Sequence, residues 1–408
     1  GSFSPLKNVL MDALNFASGR VGADGGAVLG YSVYRHQFAG TSVLPAAALM
    51  RPPSRIGGLP LVLGSQPSGS LADEILTPGE GQVRALFVDS GNPAMSLPDP
   101  EKLAKALDSV DLCVALDFYV TETTKWADYV LPAPTFFERP DAIDTWSQEM
   151  PEPWLQYTDA VIEPRGESRH EYDVYDEILA RMGKTDPLTA MRAPGVATLD
   201  DRTTPMEVID GALRRGPLGD QFGENPEGLS IERLRDEHPS GFKFADNVVS
   251  EDSWRRVAHP DHRPVLWNEA IAAECTRLVT SSDAAGKDEL LLFGRRTIGS
   301  INSWNHNTDR AARRERPTLL VHPADAEERG LRDGQRVRVA SNNGAIEVVV
   351  EVSTDVIQGS VNYPHGWGHD GGWGIANEST GANVNVLASS EPADWEQVSG
   401  MCLLDGIP

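Results

Sequence analysis

Between residues 84 and 132 the chain changes its apolar pattern three times, and few folds accommodate that alternation. Arg84-Ala85-Leu86-Phe87-Val88-Asp89 is a short apolar run, read as a buried strand. Ser90-Gly91-Asn92-Pro93 follows as a turn. Pro100 to Leu107 reads as a helix, with Asp99 placed to cap its N-terminus. Leu112 to Leu116 is a second apolar run. After a short helical piece at residues 122–127, Asp128-Tyr129-Val130-Leu131-Pro132 makes a third. Strand–helix–strand alternation at this spacing predicts a parallel sheet, because parallel neighbours need a crossover of a dozen residues or more.

The flanks read differently. Residues 5–18 have the period of an amphipathic helix, closed by Gly19 and a glycine-rich turn through Gly22, Gly25 and Gly26. Residues 30–80 are rich in proline and glycine. Tyr172 to Met182 predicts a further helix, stopped by Gly183. From about 184 to 262 the sequence is polar and proline-rich, with helical pieces near 205–215 and 230–236. Beyond 287 it turns β-rich: Leu290–Phe293, Thr318–Val321, Arg336–Val339 and Ala345–Val352 all read as strands. A short helix from Pro323 to Arg329, with proline at its first position, interrupts them. Short strands with glycine turns predict a compact barrel.

Composition narrows the functional classes. With 60 acidic and 36 basic side chains the formal charge is -24, which repels nucleic-acid phosphates and anionic membranes. Neither is expected as a partner, and no apolar run is long enough to span a bilayer. The three cysteines, Cys113, Cys275 and Cys402, form no Cys-x-x-Cys, so they build neither a zinc site nor an iron–sulfur cluster. Gly1-Ser2 resembles a cloning scar, and no secretory segment follows it. A cytoplasmic location is expected, with periplasmic export left open.

Four segments carry candidate chemistry. Gly91 and Asn92 lie just past the first strand, where parallel sheets bind ligands. Asp117 ends the second strand in the run Asp117-Phe118-Tyr119-Val120-Thr121-Glu122-Thr123. An ionised carboxylate there suits the N1–H and exocyclic amine of guanine; the competing reading is that Asp117 caps its own turn. Gly294-Arg295-Arg296 with Asn302-Ser303-Trp304-Asn305-His306-Asn307 suits phosphates and a polar heterocycle. In His365-Gly366-Trp367-Gly368-His369-Asp370 the glycines argue against a helix. The two imidazoles then share no face, and a loop lying against a ligand is preferred to a metal site. His259 and His262 read as loop, and Arg310, Arg313, Arg314 and Arg316 as a solvated helix end. No phosphate-loop or Gly-x-Ser-x-Gly motif is present.

The order of these segments resembles the dimethyl-sulfoxide-reductase family of molybdopterin oxidoreductases. Gly91-Asn92-Pro93, Asp117 through Thr123, and Ala127-Asp128-Tyr129-Val130-Leu131-Pro132 with Glu138 resemble that family's second α/β domain. Gly294-Arg295-Arg296, His322-Pro323-Ala324-Asp325-Ala326, Gly330 to Gly334, Gly359 with Val361, Trp367 and the stretch to Asn385 are similar to its C-terminal dinucleotide-binding barrel.

The resemblance implies an α/β fold: a parallel-sheet dinucleotide-binding domain followed by a double-psi-type β-barrel. It implies the tail of a preceding domain at 1–30, the α/β domain at 31–190, an irregular connection at 191–286 and the barrel at 287–408. It implies a bis-molybdopterin guanine dinucleotide carrying molybdenum or tungsten, a small redox substrate and an electron-transfer partner. Asp117 would then grip the guanine edge, with Gly91, Asn92 and Thr121 near the nucleotide. Arg295, Asn302, Ser303, His306, His365, Trp367 and Asn377 would lie near the pterin and its phosphates. The family's cluster-binding cysteines, which hold a 4Fe–4S cluster in some members, and its metal-ligating residue have no counterpart in this sequence. The chain is therefore expected to begin in mid-protein and to be inactive alone; a non-catalytic or partner-dependent subunit is the alternative. Glu138-Arg139-Pro140-Asp141 also departs from the run found in nitrate reductases and formate dehydrogenases.

Overall fold

The computed structural model describes residues 1–21, 23, 25–27, 53–59, 61, 65–142, 154–184, 204–244, 261, 263–281, 288–310, 316–379 and 381–408. His259, His262, Arg313 and Arg314 lie outside the described residues. The chain forms two compact units. One comprises Gly1–Lys7, Ala48–Leu131 and Glu269–Pro408; the other comprises Asn8–Ala47 and Pro132–Asn268.

The first helix, α1 (Ser4–Ala17), matches the amphipathic pattern and buries Leu6. In the first unit α2 (Leu71–Leu76) leads to β1 (Ala85–Asp89), α3 (Pro93–Ser96), α4 (Pro100–Ser109), β2 (Leu112–Asp117) and β3 (Tyr129–Pro132). β1 and β2 pair in parallel, from Ala85 opposite Leu112 to Asp89 opposite Leu116, and β3 adds beyond β2. Asp99 caps α4 through its carboxylate, which accepts the Lys102 N–H at 3.0 Å. The α4 residues Leu103, Ala106 and Leu107 fall on one face and are buried. They form a core with Ala72 and Ile75 of α2, Val88 of β1 and Cys113 and Ala115 of β2. Four consecutive residues of β2, Cys113 to Leu116, are buried, as expected of a strand covered on both faces.

The second unit holds β4 (Asp141–Ala142) paired with β6 (Tyr157–Thr158), and β5 (Trp154–Leu155) paired with β7 (Phe242–Lys243). Its helices are α5 (Glu171–Arg181), α6 (Pro205–Arg214) and α7 (Ile231–Glu237). Thr204 and Glu207 close a reciprocal capping box at the start of α6. Leu155, Leu213, Leu229 and Leu234 make the unit's own core. Gly241 has φ +91°, and a Cβ there would strike the Trp154 indole at 1.9 Å.

The chain returns to the first unit through α8 (Glu269–Thr280), an amphipathic helix within the stretch 191–286 where an irregular connection was expected. Arg277 on α8 pairs with buried Glu274 at 2.7 Å and stacks its guanidinium 3.8 Å above the Phe3 ring. Then come β8 (Leu291–Arg295), β9 (Thr318–Val321), α9 (Pro323–Glu328), β10 (Arg336–Ala340), β11 (Ala345–Val352) and β12 (Ser360–Pro364). They form a five-stranded mixed sheet in the order β10-β11-β9-β12-β8. β11 pairs with β9, and β12 with β8, in parallel; β10–β11 and β12–β9 are antiparallel. Along β11, Ile346, Val348 and Val350 alternate inward with period two. They pack on Leu319, Val321, Val361 and the fully buried Tyr363. Among the described residues no helix is long and apolar enough to cross a membrane.

Burial sets the scale of mutational effects. Leu107 is 2 % exposed, so Leu107→Ala should lower the unfolding free energy by about 2–5 kcal/mol. Leu14 is 70 % exposed, and Leu14→Ala should stay within about 0.5 kcal/mol. Urea unfolding followed by circular dichroism measures both, and a loss below about 1 kcal/mol for Leu107→Ala would contradict the α4 packing.

Candidate functional site

The carboxyl ends of β1 and β2 lie side by side, and the loops leaving them build one half of the site. At the end of β1 the residue in left-handed backbone is Ser90, with φ 53°. Gly91 has ordinary backbone, and a Cβ there would meet nothing closer than 3.6 Å. The turn therefore does not require glycine at position 91. Its tight conformation is carried by Ser90, whose hydroxyl bonds the Asp89 carboxylate at 2.9 Å and whose N–H reaches the Leu116 carbonyl at 3.1 Å.

Asp117 ends β2 half-buried. Its Oδ1 accepts the backbone N–H of Phe118 at 2.6 Å and of Tyr119 at 3.3 Å, so it does cap its own turn. Its Oδ2 makes no hydrogen bond among the described residues. Burial raises the carboxyl above its ordinary range, the two backbone donors oppose that, and the nearby Glu122 charge adds to it. Phe118 meets Trp304 edge-on, ring centroids 6.4 Å apart, so this strand end abuts the loop after β8.

The next residues turn inward. Thr121 to Thr124 are all buried. Thr121 and Thr124 close a small hydroxyl–backbone knot: the Thr121 N–H donates to Thr124 Oγ1 at 2.6 Å, and the Thr124 N–H to Thr121 Oγ1 at 3.2 Å. Thr121 thus shapes the loop rather than presenting its hydroxyl outward. Asn92 is likewise committed within the protein. Its Nδ2 donates to Glu122 Oε2 at 2.7 Å, and its Oδ1 accepts the Thr123 hydroxyl at 2.7 Å.

Glu122 ties the end of the parallel sheet to the loop after β12. Its Oε1 accepts the backbone N–H groups of Asp370 and Gly371 at 2.8 and 2.9 Å, and the Trp373 indole N–H at 3.1 Å. His369 turns Nδ1 to 3.4 Å from the same oxygen. Burial disfavours the charge, but His369, Asn92 and backbone donors outweigh it and hold the carboxyl well below the usual range. Asn383 and Asn385 add amide donations to the carbonyls of Ala94 and Met95 at 3.4 and 2.5 Å. A Cβ on Gly371 would come within 3.0 Å of backbone atoms of Val120, Thr121 and Glu122. Glycine there permits the loops' close approach.

The other half comes from the C-terminal sheet. Arg295 donates to the Thr318 carbonyl at 3.0 Å. Arg296 and His365 both contact Asn302 Oδ1, and His365 Nδ1 lies 3.3 Å from the Arg295 carbonyl. Ser303 sits beside Gly366, whose φ is +83°. His306 is 1 % exposed and stacks on buried Trp367, ring centroids 3.8 Å apart. Its two nitrogens face His369 Nε2 at 3.0 Å and the Ser300 hydroxyl. Burial, reinforced by His369 and His365, pushes the His306 imidazole down to about 4, against an opposing hydrogen bond with the Gly366 backbone. Asn377 donates its amide to the Gly371 carbonyl.

His306 and Trp367, with Arg316, Thr318, Ala376 and Ser379 among others, line a pocket of about 360 Å³. The Trp367 indole N–H is buried without a hydrogen-bond partner among the described residues. His365 and His369 turn to different partners, and no group of His, Cys, Asp or Glu among the described residues could hold a metal.

Of the residues singled out from sequence, Asp117 and Arg295 end strands β2 and β8, and Asn302, Ser303, His306, His365, Trp367 and Asn377 lie in the segments after β8 and β12. Asn92 and Thr121 are internal ties. Sequence reasoning passed over Glu122, Ser300 and Trp373, and weighed His369 only as a metal ligand. An acidic residue between threonines, just after a buried strand, was the available signal for Glu122.

The chain is similar to known proteins. The molybdopterin oxidoreductase family model matches residues 6–181, and that of the molybdopterin dinucleotide-binding domain matches residues 290–401. A protein of Halobacterium salinarum, provisionally named as the catalytic subunit of a dimethyl sulfoxide reductase, is 27% identical over 314 residues, 72% of this chain and 33% of its own. Acetylene hydratase of Syntrophotalea acetylenica is 26% identical over 291 residues, 70% of this chain and 37% of its own. The solved acetylene hydratase from Pelobacter acetylenicus superposes with a TM-score of 0.58 at 21% identity, over 91% of this chain and 50% of that one. The chain thus spans about a third of the length of these two curated relatives. It belongs to the molybdopterin oxidoreductases, as a molybdopterin oxidoreductase domain followed by a molybdopterin dinucleotide-binding domain with relatives in the dimethyl-sulfoxide-reductase family.

Proposed function

We propose that this chain is the C-terminal part of a molybdenum or tungsten oxidoreductase. It would bind a bis-molybdopterin guanine dinucleotide and leave the metal ligation to another part of the enzyme. The observation that carries this reading is Asp117. It is a half-buried carboxylate at the carboxyl end of a parallel strand, with one oxygen capped by backbone and the other without a hydrogen bond among the described residues. A guanine edge offers two donors, and both favour the ionised form that burial disfavours.

The other residues fit such a group. The pocket of about 360 Å³ has the size of a small-ligand site, and its flat His306–Trp367 wall suits a planar heterocycle. The unpartnered Trp367 N–H is a buried donor in want of an acceptor. Arg316 on the same wall favours an anionic substituent. When bound, the cofactor supplies two-electron redox chemistry at its metal. The chain's own part is to grip the purine through Asp117, set the pterin against Trp367 and His306, and exclude water by the Glu122-pinned loop. A double-psi-type closure of the C-terminal sheet belongs to the same reading. So do a small redox substrate and an electron-transfer partner, after relatives named for dimethyl sulfoxide and trimethylamine N-oxide reduction. The three cysteines are widely separated in sequence, so no iron–sulfur cluster is proposed for these residues.

Titration calorimetry of the full chain with GDP and ADP tests the carboxylate. GDP should bind in preference, and Asp117→Ala should weaken it about 10- to 100-fold, the equivalent of one or two charge-assisted hydrogen bonds, with ADP unaffected. Equal binding of the two nucleotides, or an unaltered GDP affinity in the variant, would remove the basis of the assignment. In a dye-linked reductase assay these 408 residues alone should give no turnover. Turnover would show that the metal chemistry resides in this chain after all.

A further inference from the structure

Four buried polar groups from three loops line up across the first unit. Glu122 Oε1 faces His369 Nδ1 at 3.4 Å, His369 Nε2 faces His306 Nδ1 at 3.0 Å, and His306 Nε2 meets the Ser300 hydroxyl. Each of the four residues is less than 9 % exposed. We propose that Glu122 is a positioning residue: its carboxylate fixes the Nδ1–H tautomer of His369 and, through it, the Nδ1–H tautomer of His306 on the pocket wall.

The logic is one of donors and acceptors. An imidazole in its neutral form has one nitrogen that donates and one that accepts, and the neighbour of either decides the tautomer. A line of such groups admits two proton arrangements, one running each way. In the first, His369 points an Nδ1–H at Glu122 across 3.4 Å, His306 donates from Nδ1 to His369, and Ser300 donates to His306 Nε2. In the second, every proton is reversed: His306 donates from Nε2 to Ser300, and Ser300 donates to the Asn302 carbonyl at 3.3 Å. The second arrangement turns a bare His369 Nδ1 toward an oxygen that can only accept. Glu122 cannot relieve this by taking a proton. Its carboxylate already serves Asp370 N–H, Gly371 N–H, the Trp373 indole and the Asn92 amide, all of them donors. The first arrangement turns the His369 Nδ1–H toward the carboxylate; at 3.4 Å this is a charge–dipole attraction, since His369 Nδ1 has no hydrogen-bond partner among the described residues.

The consequence reaches the pocket. With both nitrogens of His306 committed inside the protein, its ring presents a neutral face, stacked on Trp367, and offers the ligand no N–H. The depressed basicity of His306 agrees with a ring that stays neutral. The wall is therefore suited to stacking, with hydrogen bonding left to Trp367 and Arg316. This inference does not depend on which ligand occupies the pocket, so it stands or falls separately from the nucleotide reading.

The test is nitrogen NMR of the full chain, labelled with 15N-histidine, at neutral pH. Assignments come from His306→Asn and His369→Asn. In the wild type both imidazoles are expected to show a protonated Nδ1 and a bare Nε2. In Glu122→Met, which removes the acceptor at similar length, both signatures should change while the exposed histidines keep theirs. A protonated Nε2 or an imidazolium at His306 in the wild type overturns the proposal. So does an unchanged pattern in folded Glu122→Met. Should that variant fail to fold, the wild-type signature of His306 decides the matter alone.

Discussion

A carboxylate taken out of water must find enough donors to replace its hydration, and in this protein that requirement organises the site. Glu122 is 4 % exposed, and the groups that satisfy it come from two segments about 280 residues apart. Asn92 approaches from the end of β1, and Asp370, Gly371 and Trp373 approach from the loop after β12. Breaking such an arrangement by removing donors leaves a buried charge uncompensated, which typically costs several kcal/mol. Keeping it forces the loop at 369–373 onto the end of the parallel sheet. The exposed pair Lys125–Asp370, at 3.0 Å, spans the same junction but contributes little by comparison.

That constraint explains the composition of the loop. Three glycines between 366 and 371 would be wasteful if the segment were only a connection, since each loses more backbone entropy than another residue. Gly366 and Gly368 have positive φ, and a Cβ on either would collide with backbone of residues 302 or 382–383. Gly371 lies directly against Val120–Glu122. From sequence alone the glycines suggested a loop flattened against a ligand. They also let protein backbone meet protein backbone, and the large side chains among them, Trp367 and Trp373, fill the space on either side.

Where local pattern decides structure, the sequence was legible. The β1–α4–β2 crossover follows from two apolar runs, a proline at the start of the helix and Asp99 before it. β9, β10 and β11 follow from β-branched runs between glycine turns. The fold was less legible where tertiary contact decides. The helix Glu269–Thr280 is amphipathic, but it is secured by Arg277, which reaches Phe3 near the start of the sequence. No local signal announces that. The pairing of β12 with β8 and β9 likewise joins strands far apart in sequence.

For the site, residue type was a better guide than residue role. Asn92 has the right chemistry for a ligand contact, yet both ends of its amide are spent on Glu122 and Thr123. Asp117 has the same chemistry and keeps one oxygen without a hydrogen bond among the described residues. The two differ in what surrounds them, not in what they are. Asn92 lies opposite a buried acid and hydroxyl that it alone bridges, while Asp117 stands where the strand leaves the core and only one face is covered. A polar residue after a parallel strand is therefore either spent on the fold or reserved for a ligand, and the buried charge at position 122 decides which of these two is which.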